Sequence, residues 1–196
     1  MAARNRRSAK NAGTAFEQAV VDYLAAVLDD DRIERRVTRG SKDRGDIAGV
    51  RIYDGRVVIE CKDTAQVRLW EWLEEAEVER GNDDACLGVV VAHVPGYGVR
   101  HMERQLVAMY EDDFEERFAA REEFGVVRAG TFMPSRMKEY VDYSDKVVHV
   151  TKRGDEDTAA ALMTLRMLAG EIGGGLCFLA EDKYARNGHR KEKKDE

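Results

Sequence analysis

The stretch that most constrains the fold is an apolar hairpin whose second strand ends in charged residues. Two runs rich in branched side chains, DIAGVRIY (46–53) and RVVIECK (56–62), are separated by Asp54-Gly55. Branched residues favour strands, and Asp-Gly favours a tight hairpin turn because Gly tolerates positive φ. Strand alternation places Glu60 and Lys62 on the same face. The sequence therefore predicts a hairpin that gathers its charges at one end.

Three charged side chains are expected to meet at that end. Asp46 begins the first strand, so it lies at the same end of the hairpin as Glu60 and Lys62. Burying these three charged side chains costs free energy unless the charges form ion pairs with one another or bind a metal ion. An ordinary exposed hairpin with a cross-strand salt bridge is one interpretation, and a metal site is the other.

The metal interpretation predicts a specific chemistry. Two carboxylates at a sheet edge can hold Mg²⁺ while leaving positions open for water, and the backbone carbonyl of Cys61 would add a ligand. A metal held there lowers the pKa of a bound water and offsets charge that develops on a phosphate. Lys62 would orient that water or stabilise the phosphorus centre. Glu17 would either complete the site or belong to a network of hydrogen bonds around its ligands.

The net charge counts against a simple nucleic-acid-binding protein, but the charge is unevenly distributed. The 196 residues carry a formal net charge of −6, and 36% of them are charged. Residues 111–123 are strongly acidic. The segment that leads into the hairpin is basic, and its charged residues are Arg32, Glu34, Arg35, Arg36, Arg39, Lys42, Asp43 and Arg44. Local patches matter more than the total charge for contact with a polyanion.

The sequence predicts a protein of a reducing, cytoplasm-like compartment. No apolar run approaches the roughly 18–20 residues that span a bilayer, and no signal-peptide core follows the basic N-terminus. The three cysteines are odd in number and have no CxxC spacing, which favours free thiols. We therefore expect cytoplasmic localisation and no membrane partner.

Periodicity and breaker residues predict the order of the other elements. Thr14 is a plausible N-cap for a helix over 15–29, in which Glu17 either completes a capping box or points inward. A strand is expected at 33–38, and a helix at 66–80 that contains Trp70 and Trp72. The remaining predictions are a buried strand over 86–94, a helix over 100–122, strands over 124–127 and 146–151, and a helix over 156–169.

Several catalytic classes are excluded by the absence of their motifs. The four histidines lack the spacing of a zinc site, and neither a GxSxG nucleophile elbow nor a GKS or GKT phosphate loop occurs. The chemistry of the hairpin is therefore the remaining candidate.

The order of these features resembles the PD-(D/E)xK nuclease superfamily. A helix with Glu17, a strand, a Gly40-Ser41-Lys42 loop, Asp46 and Glu60-Cys61-Lys62 are followed by a helix and an apolar strand. Within the superfamily, the chain resembles Holliday junction resolvases of the archaeal type and their phage-encoded relatives. The ECK run followed by a Trp-bearing helix is especially similar to the phage members. The resemblance covers residues 11–94.

The resemblance implies an α/β fold with a restriction-endonuclease-like mixed sheet flanked by helices and a C-terminal α+β extension. It also implies a homodimer that cleaves branched DNA with Mg²⁺, for which Mn²⁺ would substitute, in DNA recombination or repair. A phage-encoded enzyme would act in the host cytoplasm. The residues that match the catalytic set are Glu17, Ser41, Asp46, Glu60 and Lys62.

The same resemblance divides the chain and leaves alternatives open. Residues 1–10 are expected to form a flexible basic arm, 11–94 the nuclease core, 95–180 an extension packed on or completing the core, and 181–196 a disordered charged tail. Gly45 replaces the Pro that the family often has before the Asp, and the extension resembles nothing recognised. A restriction- or repair-type nuclease and a non-catalytic DNA-binding subunit therefore remain alternatives.

Two surfaces are predicted to contact partners. Arg39, Lys42 and Arg44 lie in and beside the loop before Asp46, where they are expected to contact DNA phosphates. Trp70 and Trp72 are about 200° apart around a helix, so one core cannot cover both. One exposed indole or an indole buried in a dimer interface would account for the second tryptophan.

Overall fold

A mixed, open β-sheet flanked by helices on both faces makes this an α/β fold. The computed structural model describes residues 6–36, 43–53, 55–118, 125–143 and 146–174. The helices in these ranges are α1 (Arg6–Leu28), α2 (Leu69–Asn82), α3 (Glu111–Phe118), α4 (Met137–Asp142) and α5 (Leu165–Ile172). The strands are β1 (Glu34–Arg35), β2 (Ile47–Ala48), β3 (Arg51–Ile52), β4 (Gly55–Lys62), β5 (Leu87–Ala92), β6 (Leu106–Tyr110), β7 (Gly125–Thr131), β8 (Lys146–Lys152) and β9 (Asp155–Thr164).

The strand order is β1-β2-β4-β5-β6-β9-β8-β7, and β3 pairs with β4 beside β2. Among the described strands, β4 pairs with β5 and β7 with β8 in parallel, while the other pairs are antiparallel. Strands from residues 95–174 therefore continue the sheet that begins with the hairpin.

Two apolar layers cover the two faces of the sheet. One layer packs α1, α3 and α5 on the sheet, and the other packs α2 and α4. Phe16, Val20, Leu24 and Val27 of α1 are all buried, which confirms the predicted apolar face of this helix. Burial of each such side chain contributes about 1.5–3 kcal/mol, so α1 is held mainly by packing.

The first helix begins earlier than its sequence pattern predicts. It starts at Arg6, so residues 6–10 of the predicted flexible arm are helical, and residues 1–5 lie outside the described ranges. Thr14 lies inside the helix, and the prediction that it is an N-cap is wrong. The apolar spacing begins only at Phe16, because the preceding turns are largely exposed to solvent.

The hairpin forms, but its turn differs from the prediction. The first run is split into β2 and β3 at Gly49, whose φ of +88° lets the backbone pass close to Arg32. Tyr53 rather than Gly55 takes positive φ, at 52°. Gly55 belongs to β4, where a Cβ atom would lie 2.2 Å from the Cys86 sulfur. Glycine is required there for space rather than for a turn.

Two predicted helices are wrong in the second half of the chain. Within 100–122, a short 3₁₀ segment (Val99–Arg104) is followed by β6 and α3. Most of 156–169 is β9, and α5 begins at Leu165. The buried stretches of β6 and β9 are apolar on both faces, which removes the alternation that marks a strand. Their Ala, Leu and Met residues favour helices, and tertiary packing overrides that preference.

Other expectations hold. The predicted central strand is confirmed, because all six residues of β5 are buried. Strand β8 covers the prediction at 146–151, and β7 begins at Gly125 within the predicted short strand. The charged tail at 181–196 lies outside the described residues. Within the described ranges, none of the helices has the length and apolarity needed to cross a bilayer.

Candidate active site

The two carboxylates and the lysine predicted from the hairpin meet at the carboxyl end of β4. Antiparallel pairing of Ile47 with Ile59 brings Asp46 beside Glu60. The Asp46 Oδ2 atom accepts a hydrogen bond of 2.8 Å from the Cys61 amide. Glu60 lies close enough for its charge to raise the pKa of the Asp46 carboxyl. Lys62 Nζ donates to Glu60 Oε1 at 2.6 Å.

The glycine before Asp46 shapes this approach. Gly45 has a φ of +86°, and a Cβ atom there would lie 2.8 Å from Val58 Cγ1. Proline is fixed near −65° and cannot adopt this conformation. The glycine at this position therefore sets the backbone path into Asp46, rather than only the stiffness of the loop.

Helix α2 adds two carboxylates that the sequence analysis did not assign to the site. Glu75 Oε2 accepts a second hydrogen bond from Lys62 Nζ, also at 2.6 Å. Glu79 lies close enough to Glu60 to raise the pKa of that carboxyl, and the Glu79 Oε2 atom is buried without a hydrogen-bond partner in the described part of the chain. Glu75 and Glu79 are four residues apart, so they share one helix face. This four-residue spacing in a predicted helix is the sequence signal that could have identified the two residues.

Glu17 reaches the same region from α1. Its side chain is partly buried, accepts a hydrogen bond of 2.8 Å from Arg35 Nε, and contributes to raising the pKa of Asp46. Because Glu17 lies inside α1, it does not cap the helix, and the inward-pointing alternative describes its position.

The carboxylates in the site outnumber its nearest cation. Burial and the nearby charge of Glu60 raise the pKa of Asp46 to about 7. Burial raises the pKa of Glu60 to about 7 despite the opposing effect of Lys62, and burial raises the pKa of Glu79 to about 6. Burial alone would lower the pKa of Lys62, but the carboxylates of Glu60 and Glu75 outweigh it and raise that pKa. Neutralising the excess negative charge of these carboxylates requires protons or another cation.

The donor set fits a hard divalent cation. The available ligands are oxygens from Asp46 and Glu60, and Mg²⁺ is commonly bound through one or two carboxylates together with waters and substrate phosphates. The carbonyl of Cys61 faces the same strand edge as its amide, toward Asp46, because Lys62 makes the bonds to β5. Over the described ranges, no group of three or more His, Cys, Asp or Glu residues has metal-binding geometry. Mg²⁺ would therefore take most of its remaining ligands from water and substrate.

A histidine holds the end of β4 in place. The His93 amide donates to the Lys62 carbonyl at 2.8 Å. Its ring lies between Asp63, at 3.1 Å from Nδ1, and the Tyr97 carbonyl, at 3.0 Å from Nε2. The ring edge also contacts Phe16, 5.7 Å between centroids. His93 thus ties the strand end to α1 and to the 95–98 loop.

An acidic groove runs along α2 beside the site. Its volume is about 460 Å³, and it is lined by Asp43, Glu71, Glu74, Glu75, Val78, Glu79 and Asn82. Five carboxylates in this groove repel a polyanion. We call it the acidic groove.

Some predicted site residues fall outside the described ranges. Ser41, Arg39 and Lys42 belong to the undescribed segment 37–42. Arg44 is described, and its side chain is 57% exposed with Nη1 3.8 Å from Asp83 Oδ1. Of the three predicted DNA contacts, Arg44 is thus placed at the surface.

The two tryptophans share one apolar layer. Trp72 is 6% exposed within the layer that also contains α4, and Trp70 is partly buried against its edge. Neither indole is fully exposed, so Trp70 is the one that keeps free surface for a partner.

Comparisons of the chain with protein-family models, with curated proteins and with solved structures found no match. Function is therefore inferred from the geometry of the chain itself.

Proposed function

We propose that this protein is a metal-dependent DNA endonuclease with a restriction-endonuclease-like core, most similar in activity to Holliday junction resolvases. The observation that carries the proposal is the meeting of Asp46, Glu60 and Lys62 at the end of β4. The order α1, hairpin, α2 and a parallel β5 supports the same family assignment, because it matches the order on which the resemblance rests.

Each residue has a role that follows from its position. Asp46 and Glu60 would hold Mg²⁺ or Mn²⁺, with the Cys61 carbonyl as a further oxygen. When bound, the cation would lower the pKa of a water and offset charge on the scissile phosphate. Lys62 is held by Glu60 and Glu75 at the same point, where its ammonium would orient the attacking water or stabilise the phosphate. Glu17, fixed by Arg35, would orient the Asp46 side of the site.

Branched DNA and a homodimer complete the proposal. Symmetric cutting of a four-way junction needs two active sites related by a two-fold axis, and aromatic residues are enriched at such interfaces. Trp70 lies on the helix that follows the catalytic strand, so pairing there would fix the distance between the two sites. Light scattering of the wild type and of Trp70→Glu checks this assembly, with a folded monomer expected for the variant.

The test of activity is cleavage of a DNA panel. The wild-type protein is incubated with Mg²⁺ and four-way junction, flap, linear duplex or single-stranded DNA. We expect the junction to be cut fastest, and Glu60→Gln to lower that rate by orders of magnitude because it removes a charge from the cation site. Ca²⁺, which accepts looser coordination, is expected to support DNA binding without turnover.

The matched control is Glu139→Gln, on α4 and paired with Arg136 on the exposed surface. It should cut like the wild type. Cleavage by Glu60→Gln at the wild-type rate would contradict the site. Faster cutting of linear or flap DNA would support nuclease activity but contradict the four-way junction as the preferred substrate.

A further inference from the structure

Three arginine side chains converge on one buried carboxylate at the carboxyl end of α2. Asp83 follows the last residue of α2 and is 7% exposed. Its Oδ2 atom lies 2.9 Å from Arg36 Nη2 and 3.4 Å from Arg56 Nε. Its Oδ1 atom lies 3.8 Å from Arg44 Nη1. We call Arg36, Arg44 and Arg56 the arginine cluster.

The arginine cluster is attached to the backbone that carries the proposed active site. The Arg36 amide donates to the Asp46 carbonyl at 2.7 Å, and Arg36 Nη1 donates to the Arg44 carbonyl at 2.7 Å. Arg56 belongs to β4, the strand that also carries Glu60. The position of the cluster relative to Asp46 and Glu60 is therefore fixed by strand pairing.

The cluster has more positive charge than its structural partner neutralises. One carboxylate offsets one guanidinium, so a formal charge of +2 remains on the three arginines. The side chain of Arg36 is only 20% exposed, whereas those of Arg44 and Arg56 are 57% and 45% exposed. The surplus charge is thus the part that faces solvent.

The exposed Arg56 guanidinium and the backbone beside Arg44 are also held in position. Arg56 Nη2 donates to the backbone carbonyls of Asp83 and Asp84. The Asn82 side chain bonds the Asp43 carbonyl at 2.8 Å, which anchors the backbone just before Arg44. Planar guanidinium groups match the oxygens of a phosphate, and a fixed group loses less conformational entropy on binding.

We propose that the arginine cluster binds backbone phosphates of the DNA substrate a few nucleotides from the scissile bond. The inference rests on the proposed nuclease function and adds Arg36 and Arg56 to its substrate contacts. Asp83 is a positioning residue that holds the guanidinium groups together. The acidic groove between the cluster and the N-terminal end of α2 repels phosphate, so the backbone is expected to leave α2 at the arginine cluster rather than follow the groove.

The test is the salt dependence of DNA binding by Arg44→Gln/Arg56→Gln. Binding of a fluorescent four-way junction and of a fluorescent duplex is measured by anisotropy over a range of KCl concentrations, with Ca²⁺ replacing Mg²⁺. Each lost phosphate contact lowers the slope of log K against log[KCl] by about 0.9. The double variant should therefore lower the slope by about 1.8, on the duplex as well as on the junction.

The control is Arg32→Gln/Arg153→Gln, which removes the same charge from two exposed positions outside the cluster. Its slope should match that of the wild type. If the double variant melts at a lower temperature than the wild type, Arg44→Gln alone provides the test, with an expected change of about 0.9.

The outcomes separate this inference from the proposed function. A wild type that binds and cuts DNA, with an unchanged slope in the variant, overturns the arginine cluster alone. A wild type that binds without cutting, with a reduced slope in the variant, supports the cluster and overturns the nuclease. A wild type that does not bind DNA overturns both.

Discussion

A row of charged groups lies along the second half of α2, and the two ends of this row have opposite charge imbalances. At its acidic end, beside the middle and last turns of the helix, Glu60, Glu75 and Glu79 gather around Lys62. At its basic end, just after the helix, three arginines gather around the carboxylate of Asp83. Among the residues that the structure describes, neither group is neutralised by its own side chains.

The comparison shows what each end lacks. Buried carboxylates without enough cations keep protons that they would otherwise lose, whereas excess arginines cannot deprotonate and remain charged. The acidic end is therefore suited to a cation, and the basic end to an anion. A substrate that brings phosphate and a divalent cation together complements both ends. The predictions that follow test this contrast.

The largest expected effect follows removal of Lys62, the lysine that the structure describes at the acidic end. Lys62→Gln should lower the rate of cleavage by at least about 100-fold, because a fixed positive group near the scissile phosphate is lost. Single-turnover cleavage of a four-way junction in Mg²⁺ measures the rate. Lys152→Gln, at the end of β8, is the matched control and should cut normally. Cleavage within twofold of wild type would show that Lys62 only neutralises its neighbours.

The next effect follows removal of the single anion at the basic end. Asp83→Asn should lower the free energy of unfolding by about 2 kcal/mol, because the charged hydrogen bond to the partly buried Arg36 is lost and the arginines repel one another. Urea denaturation measures the change. Asp84→Asn is the control at the exposed neighbouring position, whose φ of +50° Asn tolerates. Equal stabilities for both variants would mean that the cluster does not depend on Asp83.

A smaller effect is expected when a cation supplies the missing charge at the acidic end. Mg²⁺ at about ten times its Kd should stabilise the folded protein by about 1.4 kcal/mol, since it binds the folded chain only. Thermal melts with increasing Mg²⁺ measure this shift, which Asp46→Asn should abolish. Asp22→Asn, on the exposed face of α1, should keep it. If Mg²⁺ does not raise the melting temperature of the wild type, the proposed cation site is contradicted.

The smallest effect concerns pH in the presence of EDTA. In the folded chain the pKa values of Asp46 and Glu60 are about 7, well above their usual values near 4. The folded state thus binds more protons than the unfolded state between these values, so stability falls as the pH rises through this window. Asp46→Asn lacks one of these groups, so its Tm should fall by fewer degrees than that of the wild type between about pH 5 and about pH 8. Parallel Tm profiles would contradict the raised pKa values.

The sequence was informative where the fold depends on local pattern. The alternation of side chains along each strand and the short hairpin connection are enough to bring Asp46 to Glu60 and Lys62. Glu75 and Glu79 lay in a predicted helix, but their orientation depends on which face of α2 packs on the sheet. The pairing of Arg56 with Asp83 has no comparable pattern, because it joins the start of β4 to the end of α2.

The second half of the chain was less predictable for a different reason. Strands β6 and β9 lie between other strands, and their buried stretches at 106–109 and 160–163 have no polar positions to mark a period of two. Met163 and Leu162 fit a helix equally well from composition alone. Strand β8 was recognised because its KVVHVT run is rich in branched residues.

Helix α2 also fixes the distance between the proposed active site and the arginine cluster. Glu75, which contacts Lys62, and Asp83 are eight residues apart, and an α-helix rises 1.5 Å per residue, so about 12 Å separates the two charged groups along its axis. One strand of duplex DNA advances 3.4 Å per base pair. Phosphates held at the arginine cluster would therefore lie about three to four base pairs from the scissile bond. A one-turn insertion in α2 would change that spacing while leaving the chemical groups at both ends intact.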